Sequence, residues 1–224
     1  YTAYETNVMG VVNLFEACRA ILRPQKKIVV LTSDKAYGPA PVPYREDTPL
    51  VGFDSYCTSK TCQDLVSLSY ARTYGLPVVV VRAGNLYGPG DLNTSRLIPN
   101  SVLKLLDGKS PTLYSGVAEF IREFIYVDNI VEAFALLFDK GVPSEAYNVG
   151  GTKPQRIGNV IEMIRDKINP EISIEITSKD FDEVREQYLD ATKITKLGWK
   201  PRVDLSEGLD RTIAWYKEYR KTHG

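Results

Sequence analysis

The chain has 224 residues, with 28 basic and 28 acidic side chains. That length can bury a sizeable core, and the even charge leaves no basic excess for tracking nucleic-acid phosphates. No apolar run approaches the roughly 20 residues that a membrane helix needs. The one histidine, His223, lies next to the C-terminus, which excludes a Ser-His-Asp or Cys-His pair and a His-based zinc site. Cys18, Cys57 and Cys62 have no metal-ligand spacing and read as reduced thiols of a soluble, cytoplasmic protein.

Val8, Val11, Val12, Leu14, Phe15 and Cys18 recur at helical spacing and predict a helix over 3–21. A strand normally precedes such a helix, so the chain reads as the C-terminal part of a longer protein. Pro24 ends the helix, and Lys27–Leu31 reads as a strand that releases Thr32-Ser33-Asp34-Lys35. Residues 36–53 hold Pro39, Pro41, Pro43 and Pro49, the composition of a loop, and a loop that long is functional or mobile. Asp54 or Ser55 caps a helix that runs to Tyr74 and stops at Gly75. Val78–Val81 is a continuous β-branched run, fitting a parallel strand buried on both faces.

Further along, Pro99 suits the first turn of a helix ending near Gly108. Thr112–Tyr114, Glu123–Val127 and Tyr147-Asn148-Val149 are short strand candidates, and Asp128 reads as the cap of a helix from Asn129 to about Asp139. Residues 157–168 read as a helix and 172–176 as an alternating strand. Asp190 caps a short helix that Gly198 ends, and Asp204 with Glu207 forms a capping-box pattern before a last helix over 205–220.

Two strand–helix units of the same polarity predict an α/β fold with a doubly wound, Rossmann-like parallel sheet. Residues 1–90 read as the C-terminal half of a dinucleotide-binding domain. Residues 91–224 read mainly as a smaller substrate-binding lobe interleaved with the sheet domain.

The chemistry concentrates at the end of the first strand and on the helix after it. Tyr56 and Lys60 stand four apart on one helical face. A free tyrosine is a poor base at neutral pH, and an ammonium one turn away favours the phenolate. Such a pair could take a proton from a substrate hydroxyl as a hydride leaves the same carbon. The Tyr-x-x-x-Lys spacing also fits an amphipathic helix with a surface lysine. Cys57, inside the pair, reads as packing.

Several motifs come in a characteristic order. They are Asn7-Val8-Met9-Gly10, Thr32-Ser33-Asp34-Lys35-Ala36-Tyr37-Gly38, the Tyr56/Lys60 pair and Arg82-Ala83-Gly84-Asn85-Leu86-Tyr87-Gly88-Pro89-Gly90. Arg122-Glu123-Phe124-Ile125-Tyr126-Val127-Asp128, Tyr147-Asn148-Val149-Gly150-Gly151 and Leu197-Gly198-Trp199-Lys200-Pro201 follow. Together they resemble the extended short-chain dehydrogenase/reductase family, the NAD-dependent nucleotide-sugar epimerases and dehydratases of carbohydrate biosynthesis. The family's glycine-rich phosphate turn has no counterpart in the 224 residues. Ser33-Asp34-Lys35, Tyr44-Arg45-Glu46-Asp47 and Arg96-Leu97-Ile98-Pro99 resemble the CDP-glucose 4,6-dehydratase branch, whereas Arg122-Glu123-Phe124 is closer to the wider family.

The resemblance implies an NAD-dependent nucleotide-sugar 4,6-dehydratase. Tyr56 would take the proton of the sugar 4-hydroxyl, Lys60 would hold the nicotinamide ribose, and Ser33 would hydrogen-bond the same oxygen. Lys35 would remove the C5 proton, unless it is a solvated lysine pairing Asp34. Asp34 would protonate the departing C6 hydroxyl. Thr32, Ala83, Asn85 and Leu86 are implied neighbours of the cofactor. Asn85, Arg96, Leu97, Arg122, Asn148 and Arg185 are implied substrate contacts, with Arg122 as a bidentate phosphate fork; Asn85 could equally satisfy a turn, and Arg185 could be a surface charge. Two alternatives stay open, a 4-epimerase on the same scaffold and a non-catalytic fragment that binds a nucleotide sugar. The resemblance also implies a homodimer built on helices 3–21 and 54–74, and no metal, membrane or nucleic-acid partner.

Overall fold

A computed structural model of the protein describes residues 1–21, 26–178 and 183–223. The expected helix break at Pro24 lies outside the described residues. In chain order the elements begin with α1 (Thr2–Tyr4), a π-helical turn (Glu5–Met9), α2 (Gly10–Ile21), β1 (Ile28–Leu31) and a 3₁₀ turn (Asp34–Tyr37). Then come α3 (Ser55–Tyr74), β2 (Val78–Ala83), β3 (Asn85–Tyr87), α4 (Leu97–Leu106), β4 (Thr112–Tyr114), α5 (Ser115–Ala118), β5 (Ile121–Arg122) and β6 (Phe124–Tyr126). The chain continues with α6 (Val127–Lys140), β7 (Ala146–Val149), β8 (Gln155–Arg156), α7 (Ile157–Ile168), β9 (Glu175–Thr177), β10 (Glu186–Gln187), α8 (Thr192–Thr195) and α9 (Leu205–His223).

These elements group into two compact units. One comprises Tyr1–Gly84, Ile130–Gly150 and Gln187–Lys200; the other comprises Asn85–Asn129, Gly151–Glu186 and Pro201–Gly224.

The first unit is built on a parallel sheet in the order β1-β2-β7. Ile28 to Leu31 pair with Val78 to Val81, and Val80 to Ala83 pair with Ala146 to Val149. The four valines of β2 are fully buried, as an unbroken β-branched run in a central parallel strand should be. Val78 and Val80 pack with Val11 and Phe15 of α2 and Leu68 and Ala71 of α3. The parallel sheet and its helices form the expected Rossmann-like α/β arrangement. All three strands run the same way, so Thr32, Ala83 and Val149 mark one edge of the sheet. Open α/β sheets place their ligands at that edge.

The second unit holds the parallel pairs β3–β6 and β4–β9 and the antiparallel pair β5–β8. Its core joins Val102 and Leu105 of α4, Val160 and Ile164 of α7, and Leu209 and Ile213 of α9. Tyr87 and Tyr126 meet edge to face inside it, as packing aromatics.

Local signals account for most ends. The Asp54 carboxylate accepts the Cys57 N–H at 2.7 Å and caps α3, and Gly75 closes it at φ 67°. Asp190 accepts the Thr192 N–H at 2.8 Å before α8. Asp204 accepts the Glu207 N–H at 2.9 Å, while the Glu207 carboxylate turns to Arg211, so only half of the expected capping box forms. Asp128 is no cap: α6 starts at Val127, and the Asp128 carboxylate pairs with Arg211 at 3.3 Å. The strand expected at 172–176 forms instead at Glu175–Thr177, while Ile172 and Ile174 pack against apolar clusters. Their alternation reports burial rather than a ladder.

Candidate active site

The strand end and the helix N-terminus that carry the chemistry belong to one unit. Leu31 ends β1, and the Thr32 N–H extends its ladder to the Val81 carbonyl at 2.7 Å. Ser33 is extended and caps the short 3₁₀ turn: its hydroxyl accepts the Lys35 N–H at 3.2 Å and donates to Asp34 Oδ1 at 3.0 Å. Asp34 is buried, whereas Ser33 and Lys35 are half-buried. A hydroxyl, a carboxylate and an amine are thus fixed within three successive residues.

Tyr56 lies in the first turn of α3, 47% exposed. Lys60, one turn on, is half-buried and its ammonium donates to Gln63 Oε1 at 2.9 Å. Burial lowers the Lys60 pKa, because the charged form loses water. Burial, reinforced by the Asp54 carboxylate, pushes the Cys57 thiol up to about 11, which keeps it protonated and inert. Burial alone would raise Asp54, but hydrogen bonds from Cys57 and Tyr56 and the nearby Lys35 ammonium bring its pKa down. Lys35 therefore faces the N-terminal turn of α3 that carries Tyr56.

Two further contacts hold this turn. Asn7, in the π-helical turn, donates its side-chain N–H to the Ser59 hydroxyl at 3.0 Å, and Ser59 donates to the Tyr56 carbonyl at 2.7 Å. π turns recur at functional sites, where they re-aim a side chain. On the loop side, a Cβ on Gly52 would stand 2.3 Å from the Thr58 hydroxyl, so only glycine fits. The loop over 36–53 is itself anchored. Tyr44 is buried and bonds the Gly38 carbonyl at 2.7 Å, and its backbone bridges to Leu189.

Beneath the site lies a polar network absent from the sequence-based expectations. Arg82, at the end of β2, donates through Nε and Nη2 to both oxygens of Asp64 at 2.8 Å. Its Nη1 donates to the Tyr37 hydroxyl at 2.9 Å and to the Glu46 carbonyl at 3.0 Å. Tyr37 donates to Asn148 Oδ1 at 2.7 Å, and burial lifts its pKa to about 12. The spacing Tyr56–Lys60–Asp64 was a signal for Asp64, and a charge ending a four-valine strand was a signal that Arg82 needs a buried partner.

This network revises one expectation and engages the side chain of a second expected residue. Asn148, expected to contact substrate, is fully buried, and its amide donates to the Tyr44 and Asp190 carbonyls while its oxygen accepts from Tyr37. No edge of it is left for a ligand. Thr32, expected beside the cofactor, is also buried, with its hydroxyl 3.1 Å from Asp64 Oδ2 and 3.2 Å from the Val81 carbonyl. Ala83 ends β2, buried.

The remaining candidates belong to the second unit. Asn85, half-buried in β3, donates its side-chain N–H to the Glu123 carbonyl at 3.0 Å; Leu86 beside it is half-buried. Arg96 is exposed at the N-cap of α4 and pairs with Asp91 at 3.0 Å, and Leu97 packs against two apolar clusters. Arg185 is exposed. Arg122 is buried and turned to the chain itself: Nη1 meets the Ile121 and Arg185 carbonyls, and Nη2 meets the Val184 carbonyl and, at 3.1 Å, the Glu183 carboxylate. The fork expected to grip a phosphate is filled by residues 183–185. Among the described residues no cluster of ligating side chains could hold a metal ion, and no helix is long and apolar enough to cross a membrane.

A family model described as GDP-mannose 4,6 dehydratase matches residues 1–212. The chain is 31% identical to a trifunctional UDP-glucose 4,6-dehydratase/UDP-4-keto-6-deoxy-D-glucose 3,5-epimerase/UDP-4-keto-L-rhamnose-reductase of Arabidopsis thaliana, over 96% of this chain and 33% of that protein. It thus spans about a third of the length of such plant relatives. Among solved structures it resembles dTDP-glucose 4,6-dehydratase from Bacillus anthracis in complex with NAD, with a TM-score of 0.87 and 32% identity, covering 97% of this chain and 70% of that one. It also resembles UDP-glucose 4-epimerase from Thermotoga maritima with UDP-glucose, with a TM-score of 0.90 and 25% identity, covering 97% and 71%. With its parallel sheet, its Tyr56/Lys60 pair and a family match over nearly its whole length, the chain belongs to the GDP-mannose 4,6 dehydratase family, among the extended short-chain dehydrogenase/reductases that act as nucleotide-sugar dehydratases and epimerases.

Proposed function

We propose that the protein is an NAD-dependent nucleotide-sugar 4,6-dehydratase. The observation that carries this reading is the Ser33-Asp34-Lys35 turn, which sets an acid and an amine beside a hydroxyl at the sheet edge. A 4-epimerase needs only the hydroxyl and the tyrosine. The residues present fit the cofactor. Lys60 has three N–H donors, of which one meets Gln63, leaving two for ribose hydroxyls, and the exposed Tyr56 ring stands at the mouth of the same helix.

Tyr56 and Lys60 would hold the nicotinamide ribose of NAD, which when bound would supply the hydride-transfer chemistry between the sugar C4 and C6. Tyr56 takes the 4-hydroxyl proton as that hydride leaves. Ser33 hydrogen-bonds the same oxygen and steadies it as it becomes a carbonyl. The 4-ketone acidifies the C5 proton, which Lys35 removes. Asp34 donates a proton to the C6 hydroxyl, which departs as water. In the second unit, Asn85, Leu97 and the exposed Arg96 and Arg185 are offered to the nucleotide, with Arg122 available if Glu183 gives way. The reading includes a cytoplasmic homodimer; it is supported by three free cysteines and by exposed Met9, Leu14 and Leu65 on helices α2 and α3 and the turn before them.

The test is incubation of the intact protein with NAD and CDP-, dTDP-, UDP- and GDP-sugars, read by the alkaline absorbance of a 4-keto-6-deoxy product. Asp34→Asn should slow product formation by about 10²–10⁴-fold, the range of a lost general acid; an unchanged rate removes Asp34 from the mechanism. The second reading, a 4-epimerase, is favoured by the likeness to the Thermotoga maritima enzyme. It predicts an epimer and no keto product.

A further inference from the structure

We propose that Asp64 is a positioning residue for the proton-transfer pair, acting through Thr32. Tyr56, Lys60 and Asp64 recur every four residues along α3 and share one side of it. Asp64 has no exposed surface. Its carboxylate is held by the Arg82 fork at 2.8 Å from below and by the Thr32 hydroxyl at 3.1 Å. Thr32 directly precedes Ser33-Asp34-Lys35. One carboxylate therefore ties the helix that carries Tyr56 and Lys60 to the strand end that carries the acid, the amine and the hydroxyl. The Arg82 bonds alone would hold the helix against β2. The Thr32 bond ties the helix to the end of β1, just before the other reacting groups, and the Thr61 hydroxyl, donating to the Ala36 carbonyl at 3.1 Å, ties it to the turn just after them.

Reacting groups held in register raise the rate of the chemical step, and a misplacement of about 1 Å costs on the order of 100-fold. The Thr32–Asp64 bond thus sets kcat and not substrate binding. The inference rests on the role proposed for Tyr56.

Removing the Asp64 charge strands Arg82 in the interior and risks unfolding, so the informative change is at Thr32. Thr32→Val keeps the shape of the side chain and the ion pair and deletes only the hydroxyl; Thr32→Ser keeps the hydroxyl. The experiment compares both with the intact wild-type protein in kcat, in KM for nucleotide sugar and for NAD, and in thermal melting. Thr32→Val should lower kcat by about 10- to 100-fold with both KM values within twofold, and Thr32→Ser should restore it. Ionisation of the Tyr56 phenol, read at 295 nm as the difference between each protein and its Tyr56→Phe counterpart, should move to higher pH in Thr32→Val alone, because the Lys35 ammonium on the strand end, held less closely to the helix, favours the phenolate less. Equal kcat and equal phenol titration in Thr32→Val and wild type overturn the proposal, as does an equal fall in both Thr32 variants. If the wild type turns over no nucleotide sugar, the dehydratase reading fails; the phenol titration still decides the positioning role.

Discussion

The two units each bury an arginine, and they neutralise it differently. Arg82 meets a fully buried carboxylate through two parallel bonds at 2.8 Å, and the network around it ends on Tyr37 and Asn148. Arg122 meets three backbone carbonyls and one carboxylate, Glu183, which is 38% exposed. Carbonyl dipoles satisfy N–H donors but do not cancel a charge, and a half-exposed carboxylate is screened by water. Arg82 is therefore a fixed part of the framework. Arg122 has, among the described residues, a single carboxylate partner, and that one is half-exposed.

The sharpest way to break this contrast is to delete each arginine in turn. Arg82→Ala leaves Asp64 charged and unpaired inside the sheet unit, and should cost about 3–5 kcal/mol in urea unfolding. Replacing the pair together, as Asp64→Leu with Arg82→Met, should be milder than the single change. Arg122→Ala should cost less, about 1–3 kcal/mol, since it leaves carbonyls rather than a buried charge unsatisfied. Equal losses for the two single changes would show that Arg122 is as firmly compensated as Arg82.

A smaller effect tests how tightly the Arg82 network is closed. The Tyr37 phenol is raised from its ordinary value of 10 to about 12 by burial, so the fold favours its protonated form. Its contribution to stability is fully present below pH 10 and is lost as pH rises from about 10 towards 12. The loss should amount to about 2–3 kcal/mol. Tyr37→Phe should be less stable at neutral pH and should show a shallower decline over that window by circular dichroism.

The smallest effect is at Glu183. If Arg122 exchanges that carboxylate for a phosphate, Glu183→Gln should lower KM for the nucleotide sugar about two- to fivefold, the range of a half-exposed ion pair, with kcat unchanged. An unchanged KM would leave Arg122 as a clamp on residues 183–185.

Much of the framework was legible because it is written in short-range chemistry. The 3.6-residue recurrence of Ile157, Val160, Ile161 and Ile164 predicts α7 to the residue. The Asp54 cap and the Gly75 stop likewise define α3, and four valines in a row mark the central strand. The order of the motifs around Ser33, Tyr56 and Asn85 was enough to place the chain in its family. What did not show in the sequence is long-range. Asn148 and Arg122 sit in recognisable motifs, but a polar side chain's role depends on which hydrogen-bond partners lie opposite it, and those are Tyr37, 111 residues away, and Val184, 62 residues away. The π-helical turn at Glu5–Met9 also did not show, since the apolar recurrence from Val8 to Cys18 reads as one continuous helix.

Gly52 bears on how far this site could be altered by design. The loop end and the first turn of α3 are separated by a clearance that admits a hydrogen and rejects a methyl. An alanine there would act as a wedge driven under Thr58, two residues from Tyr56. The tolerance of the site to redesign is therefore narrowest at a position that has no side chain at all.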